Sequence, residues 1–165
     1  LSHFYKDTLH ISDIYLRSEN TTLSFFTTPD PKYGRLTEIP LYVLTSYKTF
    51  SAAEGVVYVL KNTGRAKIIG EITRGGAHTV TYRPLSNGFI CDIPFGKAID
   101  PVSGGNWEKS GITPHIAVPA QEAGGITKTL NGWSAQARCL RPHRGHPARL
   151  GAPSSFRLPM GVVQR

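Results

Sequence analysis

An α/β fold is predicted by three observations in this 165-residue chain. Leu41-Tyr42-Val43-Leu44 is a short apolar run that reads as a buried strand. Ala53, Val56, Val57 and Leu60 recur at i, i+3, i+4 and i+7, one face of a helix. Ala66-Lys67-Ile68-Ile69-Gly70 then reads as a second buried strand. Strand, helix and strand within about thirty residues make a parallel crossover unit.

The other elements follow in chain order. Leu1 to Tyr5 reads as the end of a helix, His10 to Leu16 as a strand, and Thr22 to Thr28 as a polar-aromatic strand or loop. Pro29-Asp30-Pro31 and Tyr33-Gly34 mark turns. The central helix is placed at about Ser51 to Asn62, with Asn62-Thr63-Gly64 as its stop signal. Gly75-Gly76 is a flexible turn. Thr79 to Arg83 and Gly88 to Ile93 pair as a hairpin, and His115-Ile116-Ala117-Val118 is a last short strand.

Charge separates a body from a tail. The formal net charge of +8 raises nucleic acid or an anionic membrane as partners. Residues 1–123, however, carry 12 basic and all 11 acidic side chains, net +1, while residues 124–165 carry seven basic and no acidic ones. The tail contains Arg141-Pro142-His143-Arg144-Gly145-His146-Pro147 and no sustained apolar period. It is expected to be disordered or non-native, because it cannot bury enough surface to offset the entropy of ordering. No nucleic-acid partner is expected for the body.

Cys139, His143 and His146 are too few for a convincing zinc site, and no metal is expected. Cys91 and Cys139 lie one in the body and one in the tail, so no structural disulfide is expected; Cys91, within Phe89-Ile90-Cys91-Asp92-Ile93, reads as a small buried hydrophobe. No apolar run reaches the length of a membrane span. Asn20-Thr21-Thr22 is a glycosylation sequon, relevant only to a secreted eukaryotic chain.

Thr49-Phe50-Ser51-Ala52-Ala53-Glu54 carries the chemistry. A hydroxyl at a strand-to-helix junction lies near unpaired backbone N–H groups and the positive end of the helix dipole. Such groups stabilise an oxyanion that develops in acyl transfer. Ser51-x-x-Glu54 is also a capping box, and on these residues alone that is the simpler reading.

Four blocks shift the balance. Pro40-Leu41-Tyr42-Val43-Leu44-Thr45-Ser46, Thr49 to Glu54, Arg65 to His78, and Asn106-Trp107-Glu108-Lys109-Ser110-Gly111-Ile112-Thr113-Pro114 occur in order. Over roughly residues 10 to 123 the chain resembles the catalytic core of the C-terminal processing peptidases, the serine-peptidase family that includes the tricorn protease core. Within it, the branch similar to interphotoreceptor retinoid-binding protein is the nearest resemblance.

The resemblance implies a crotonase-like (ClpP-like) core of strand–strand–helix units, here a partial domain. It implies Ser51 as the acyl-forming nucleophile, the Ala52 amide in the oxyanion hole, and Gly75 and Gly76 bordering the oxyanion and substrate-binding region. One branch uses a Ser–Lys dyad, with its lysine in a Gly-Lys-Gly turn. Gly76 occupies that lysine's position here, which excludes the dyad and favours a serine, a histidine and an orienting acid. The acid falls on Glu108, whose other reading is a solvated loop carboxylate.

In tricorn-like members the histidine, and the glycine-rich stretch that donates a second oxyanion amide, lie upstream of the segments matched here. The chain therefore reads as a fragment beginning mid-domain and, without its base, inactive alone. His78, close to where the dyad lysine would sit, reads as a loop or substrate-edge residue, with a role as base the lesser alternative; His115 reads as a surface histidine, and His3 and His10 match no catalytic motif. Peptide or protein substrates, no cofactor and an extracytoplasmic location are the implied setting. A second reading is a carrier for retinoid or fatty acid, with Phe25, Phe26, Tyr82 and Phe89 lining its pocket, or else simply in the core.

Overall fold

The computed structural model describes residues 1–30, 32 and 36–131. Its strands and helices are β1 (His10–Leu16), β2 (Thr21–Phe26), β3 (Tyr42–Thr45), α1 (Ala52–Asn62), β4 (Lys67–Gly70), β5 (His78–Pro84), β6 (Ile90–Ile99), β7 (Ile116–Ala117) and α2 (Ala120–Leu130). They form a mixed α/β body with two sheets. One is antiparallel in the order β2-β1-β6-β5, and the other runs β3-β4-β7.

The predicted crossover unit is present. β3 and β4 pair in parallel, from Tyr42 opposite Lys67 to Thr45 opposite Gly70, with α1 connecting them. Val57 and Leu60 of α1 pack with Ile68 of β4, Trp107 and Ile112 in the core. Ile68 and Ile69 have no exposed surface, and burying each contributes about 1.5–3 kcal/mol. Gly70, at φ +134, lies so close to β3 that a β-carbon would land on the Thr45 carbonyl. Only glycine permits that approach.

The hairpin is also present, but its second strand is longer than expected. β6 runs on to Ile99 and pairs with β1 as well as β5, with Ile14 opposite Ala98 and His78 opposite Lys97. That pairing welds the early strand β1 to the later half of the body. The expected N-terminal helix is a single 3-10 turn, Ser2–Phe4. Arg65 holds it in place, donating from Nε to the Phe4 carbonyl at 2.8 Å and from Nη2 to the Leu36 and Ile39 carbonyls.

Two expectations need correction. The boundary set at residues 123/124 falls inside α2, which packs on β3 and β4 through the fully buried Ala123. Ala123, Ile126 and Thr127 form its inward stripe, too small and polar to register as an apolar period. Cys91, expected to be buried, is only half-buried, and its neighbours Phe89 and Ile90 are 69% and 70% exposed. A run of apolar residues on a two-stranded hairpin has no second layer to bury it there. Part of the Pro29–Gly34 turn, together with Cys139, His143, His146 and the rest of the tail from residue 132, lies outside the described residues.

Candidate active site

Ser51 is the N-cap residue of α1 and closes the capping box with Glu54, its backbone N–H donating to Glu54 Oε2 at 2.8 Å. The capping reading of the motif is therefore realised. A second feature goes beyond it: Ser51 sits at φ 55, ψ −121. A non-glycine residue in such a conformation costs about 1–3 kcal/mol and persists only where its surroundings over-determine it. The bond to Glu54 and the Gly55 N–H donating to the Ser51 carbonyl at 3.0 Å supply that constraint. The turn leaves Ser51 exposed at a cleft of about 400 Å³.

Glu54 does more than cap. It is fully buried, and an unpaired buried carboxylate would be very costly. Four donors converge on it. Besides Ser51 N–H, they are Thr73 Oγ1 at 2.5 Å and Gly75 N–H at 2.6 Å, both to Oε1, and Gly76 N–H at 2.9 Å to Oε2. One carboxylate thus joins the serine junction to the loop after β4. Nothing in the local pattern around Glu54 signals this, because its partners lie about twenty residues away in sequence.

A third loop locks onto the second. The Trp107 indole N–H donates to the Gly76 carbonyl at 2.9 Å, and Lys109 N–H to the Gly75 carbonyl at 3.0 Å. Gly75, at φ +92, runs so close to the Lys109–Gly111 backbone that a β-carbon would come within 2.9 Å of Gly111 N. Ala77 N–H donates to Glu108 Oε2 at 2.7 Å, and Glu108 N–H to Asn106 Oδ1 at 3.0 Å. Glu108 is therefore a held, partly buried carboxylate and not a free loop one.

Ala52 is the first residue of α1, and its N–H donates to no acceptor among the described residues. It is an orphan donor at a helix N-terminus, as the sequence anticipated. Gly75 and Gly76 differ. Both amides are occupied by Glu54, so neither is left for an oxyanion, and Gly76 contributes only as cleft lining. A β-carbon at Gly76 would land in the Phe50 ring, which itself lies 5.0 Å from the Arg74 guanidinium. The place of the dyad lysine is taken up by an aromatic side chain.

His78 belongs to the same cleft as Ser51, along with Thr79, Val80 and Trp107. Its Nδ1 stands 3.4 Å from Glu108 Oε2. The structure thus brings Ser51 and His78 to one cavity, with Glu108 against His78; the sequence reading places His78 at the loop or substrate edge. His115 is exposed, as expected, yet its Nδ1 accepts the Ile68 N–H at 2.9 Å. Loss of hydration, then Lys67 and Lys61, push its imidazole below the ordinary histidine range. His10 pairs with Asp13 at 2.6 Å and stacks on Phe26, away from the cleft. Among the described residues no helix is long and apolar enough to cross a membrane.

Residues 6–118 match the family model described as peptidase family S41. Among solved structures, the photosystem II D1 C-terminal processing protease matches at 24% identity and a TM-score of 0.54, over 73% of this chain and 30% of its own. A lipoprotein from Streptococcus agalactiae matches at 20% identity and a TM-score of 0.54, over 78% of this chain and 47% of its own. Mature CPAF matches at 27% identity and a TM-score of 0.51, over 64% of this chain and 21% of its own. The chain thus spans less than half the length of each.

Proposed function

We propose that this chain, which belongs to peptidase family S41, contributes the nucleophile of a serine peptidase that cleaves peptide bonds through an acyl-serine intermediate. Ser51 is the nucleophile, the Ala52 amide an oxyanion donor, and Glu108 the acid that orients a histidine. Gly76 and Trp107 shape the substrate cleft. The observation that carries this reading is the strained Ser51 backbone beside an unengaged amide at the mouth of a helix. Strain of that kind concentrates where a side chain must be held out for chemistry, and a strand-to-helix turn is a known way to expose a serine Oγ.

The chemistry needs no cofactor. Attack by Ser51 Oγ on a peptide carbonyl places negative charge on the carbonyl oxygen, within the field of the α1 N-terminus. Removing one such donor typically lowers the rate by about 10²–10³-fold. We read the fold as the crotonase-like core of this family and the region through α2 as the C-terminal part of its catalytic domain. The basic segment beyond it is read as a tail, and the protein as extracytoplasmic, where many of the family work.

The carrier reading has less support. Phe26, Tyr82 and Phe89 are 48%, 69% and 69% exposed, and so are not core residues. A fluorophosphonate probe distinguishes the two. Covalent labelling of the wild-type protein and none of Ser51→Ala is the expected result, and equal labelling of both would overturn the peptidase reading.

A further inference from the structure

We propose that the outer edge of β5, from His78 to Tyr82, binds the substrate: an unfolded segment of polypeptide pairs with it main chain to main chain and is led to Ser51. The occupant's role as substrate rests on the peptidase reading of that serine. β5 is the last strand of its sheet and, among the described residues, pairs only with β6. Its other side therefore carries a row of main-chain donors and acceptors open to a further strand.

The β5–β6 pairing fixes which groups those are. Ala98 N–H donates to the Ala77 carbonyl at 3.1 Å. Alternation along an antiparallel ladder then turns the N–H and C=O of His78, the next residue, away from β6. Thr79 faces β6 opposite Gly96. The register then shifts, with Val80 opposite Pro94 and Phe95 the extra residue, so the irregularity lies on β6 and leaves β5 regular. Pro94 has no N–H to exchange with a partner, so Val80 sits at an outward position too. Thr81 faces inward again and Tyr82 outward. Among the described residues, no group outside the β5–β6 pairing hydrogen-bonds to the main chain of His78 or Val80.

This edge leads to the serine. Ser51 N–H and Gly76 N–H donate to the same oxygen, Glu54 Oε2, at 2.8 and 2.9 Å, which sets the approach to β5 beside the nucleophile. His78, Thr79 and Val80 then line the Ser51 cleft. At Gly76 the N–H and the carbonyl are taken by Glu54 and the Trp107 indole; from His78 onward the outward groups are open. Exposed edges are commonly blunted by charged side chains or proline. Between Thr79 and Tyr82 there is neither, and Arg83-Pro84 closes only the far end. Recognition of this kind reads the backbone, with alternate side chains adding selectivity. The substrate class it fits is polypeptide free to become a strand.

The test measures binding of fluorescein-labelled casein, an unfolded polypeptide, by fluorescence anisotropy. The protein is the full chain carrying Ser51→Ala, which prevents turnover. Adding Val80→Pro removes one outward N–H and should weaken binding about tenfold, the upper end for one hydrogen bond. The fold should survive, because proline is tolerated on an edge strand. Val80→Thr keeps both the N–H and the branched side chain, and should bind as its parent does. Thr81→Pro removes an N–H that faces β6 and should lower the melting temperature well below that of Val80→Pro. Equal casein binding by folded Val80→Pro and its parent would overturn the proposal. So would a dimer, seen in sedimentation, that Val80→Pro dissolves while casein binding persists; the edge would then belong to a second copy. Should Val80→Pro not fold, Tyr82→Pro decides in its place, and unfolding of both would mean that these N–H groups point inward, against the proposal. Fluorophosphonate labelling of the wild type reads the serine separately, since the probe has no peptide main chain. A labelled Ser51 without casein binding would overturn the edge alone. No Ser51 adduct in the folded wild type would overturn the peptidase reading, and the occupant's role as substrate with it.

Discussion

The loops around Glu54 and the hairpin β5–β6 both border the cleft, yet they are built by opposite means. In the first region the polar groups behind the serine junction are committed, the Ala52 amide apart: four donors meet at one buried carboxylate, and a third loop fastens onto the carbonyls of Gly75 and Gly76. In the hairpin, Tyr82, Leu85, Phe89 and Ile90 lie 56–70% exposed, held by strand pairing more than by burial. A nucleophile needs the first kind of support, because a small displacement of the reacting atom costs large factors in rate. The wall beside it needs only to be a strand.

The sharpest way to break this contrast is Glu54→Ala. It strands the Ser51, Gly75 and Gly76 amides and the Thr73 hydroxyl, and a loss of about 3–5 kcal/mol is expected, of the size seen when one member of a buried charge network is removed. Urea unfolding checks it; a change under about 1 kcal/mol would mean that water replaces the carboxylate at little cost. Gly75→Ala should follow, with at least about 1 kcal/mol lost to its left-handed backbone and a further term from the Lys109–Gly111 backbone it would strike.

Ser51→Gly sharpens the comparison in the other direction. Glycine adopts φ 55 freely, so thermal unfolding should show a gain of up to about 1 kcal/mol with labelling abolished. A loss of stability instead would mean that the serine is there for its cap alone.

Much of this was legible in the sequence, and the remainder was hidden for definite reasons. β3, α1 and β4 announced themselves because their side chains repeat at the periods of the elements they form, and the serine junction followed from where helix and strand meet. Glu54 was recognisable as a capping residue. Its service to Thr73, Gly75 and Gly76 depends on the parallel pairing that brings the end of β4 beside it. α2 was missed because Ala120, Ala123, Gly124 and Gly125 give a helix little apolar contrast. Phe89 and Ile90 misled, since an apolar run shows affinity for a core but not whether one is within reach. His78 shows the same limit: its carboxylate partner lies 30 residues on, and only the fold joins them.

Smaller effects complete the comparison. Glu71 accepts the Tyr47 and Ala120 amides, and these bonds hold its carboxyl below the ordinary carboxylate range. A depressed folded value means that its stabilisation is full above the ordinary 4.5 and is lost as pH falls through the folded value. Glu71→Gln should therefore flatten the acid limb of the melting-temperature profile below that point, and leave the difference between the two proteins constant above it. The hairpin should be the least sensitive: Ile90→Ser, at a 70% exposed site, should move stability by no more than about 0.5 kcal/mol.

The most direct test is to trap the intermediate. Acid quenching during turnover of an activated ester, followed by digestion and peptide mass measurement, should find the acyl group on the peptide that contains Ser51, and nowhere in Ser51→Ala. An acyl group on any other side chain, or turnover with none bound to protein, would contradict the account.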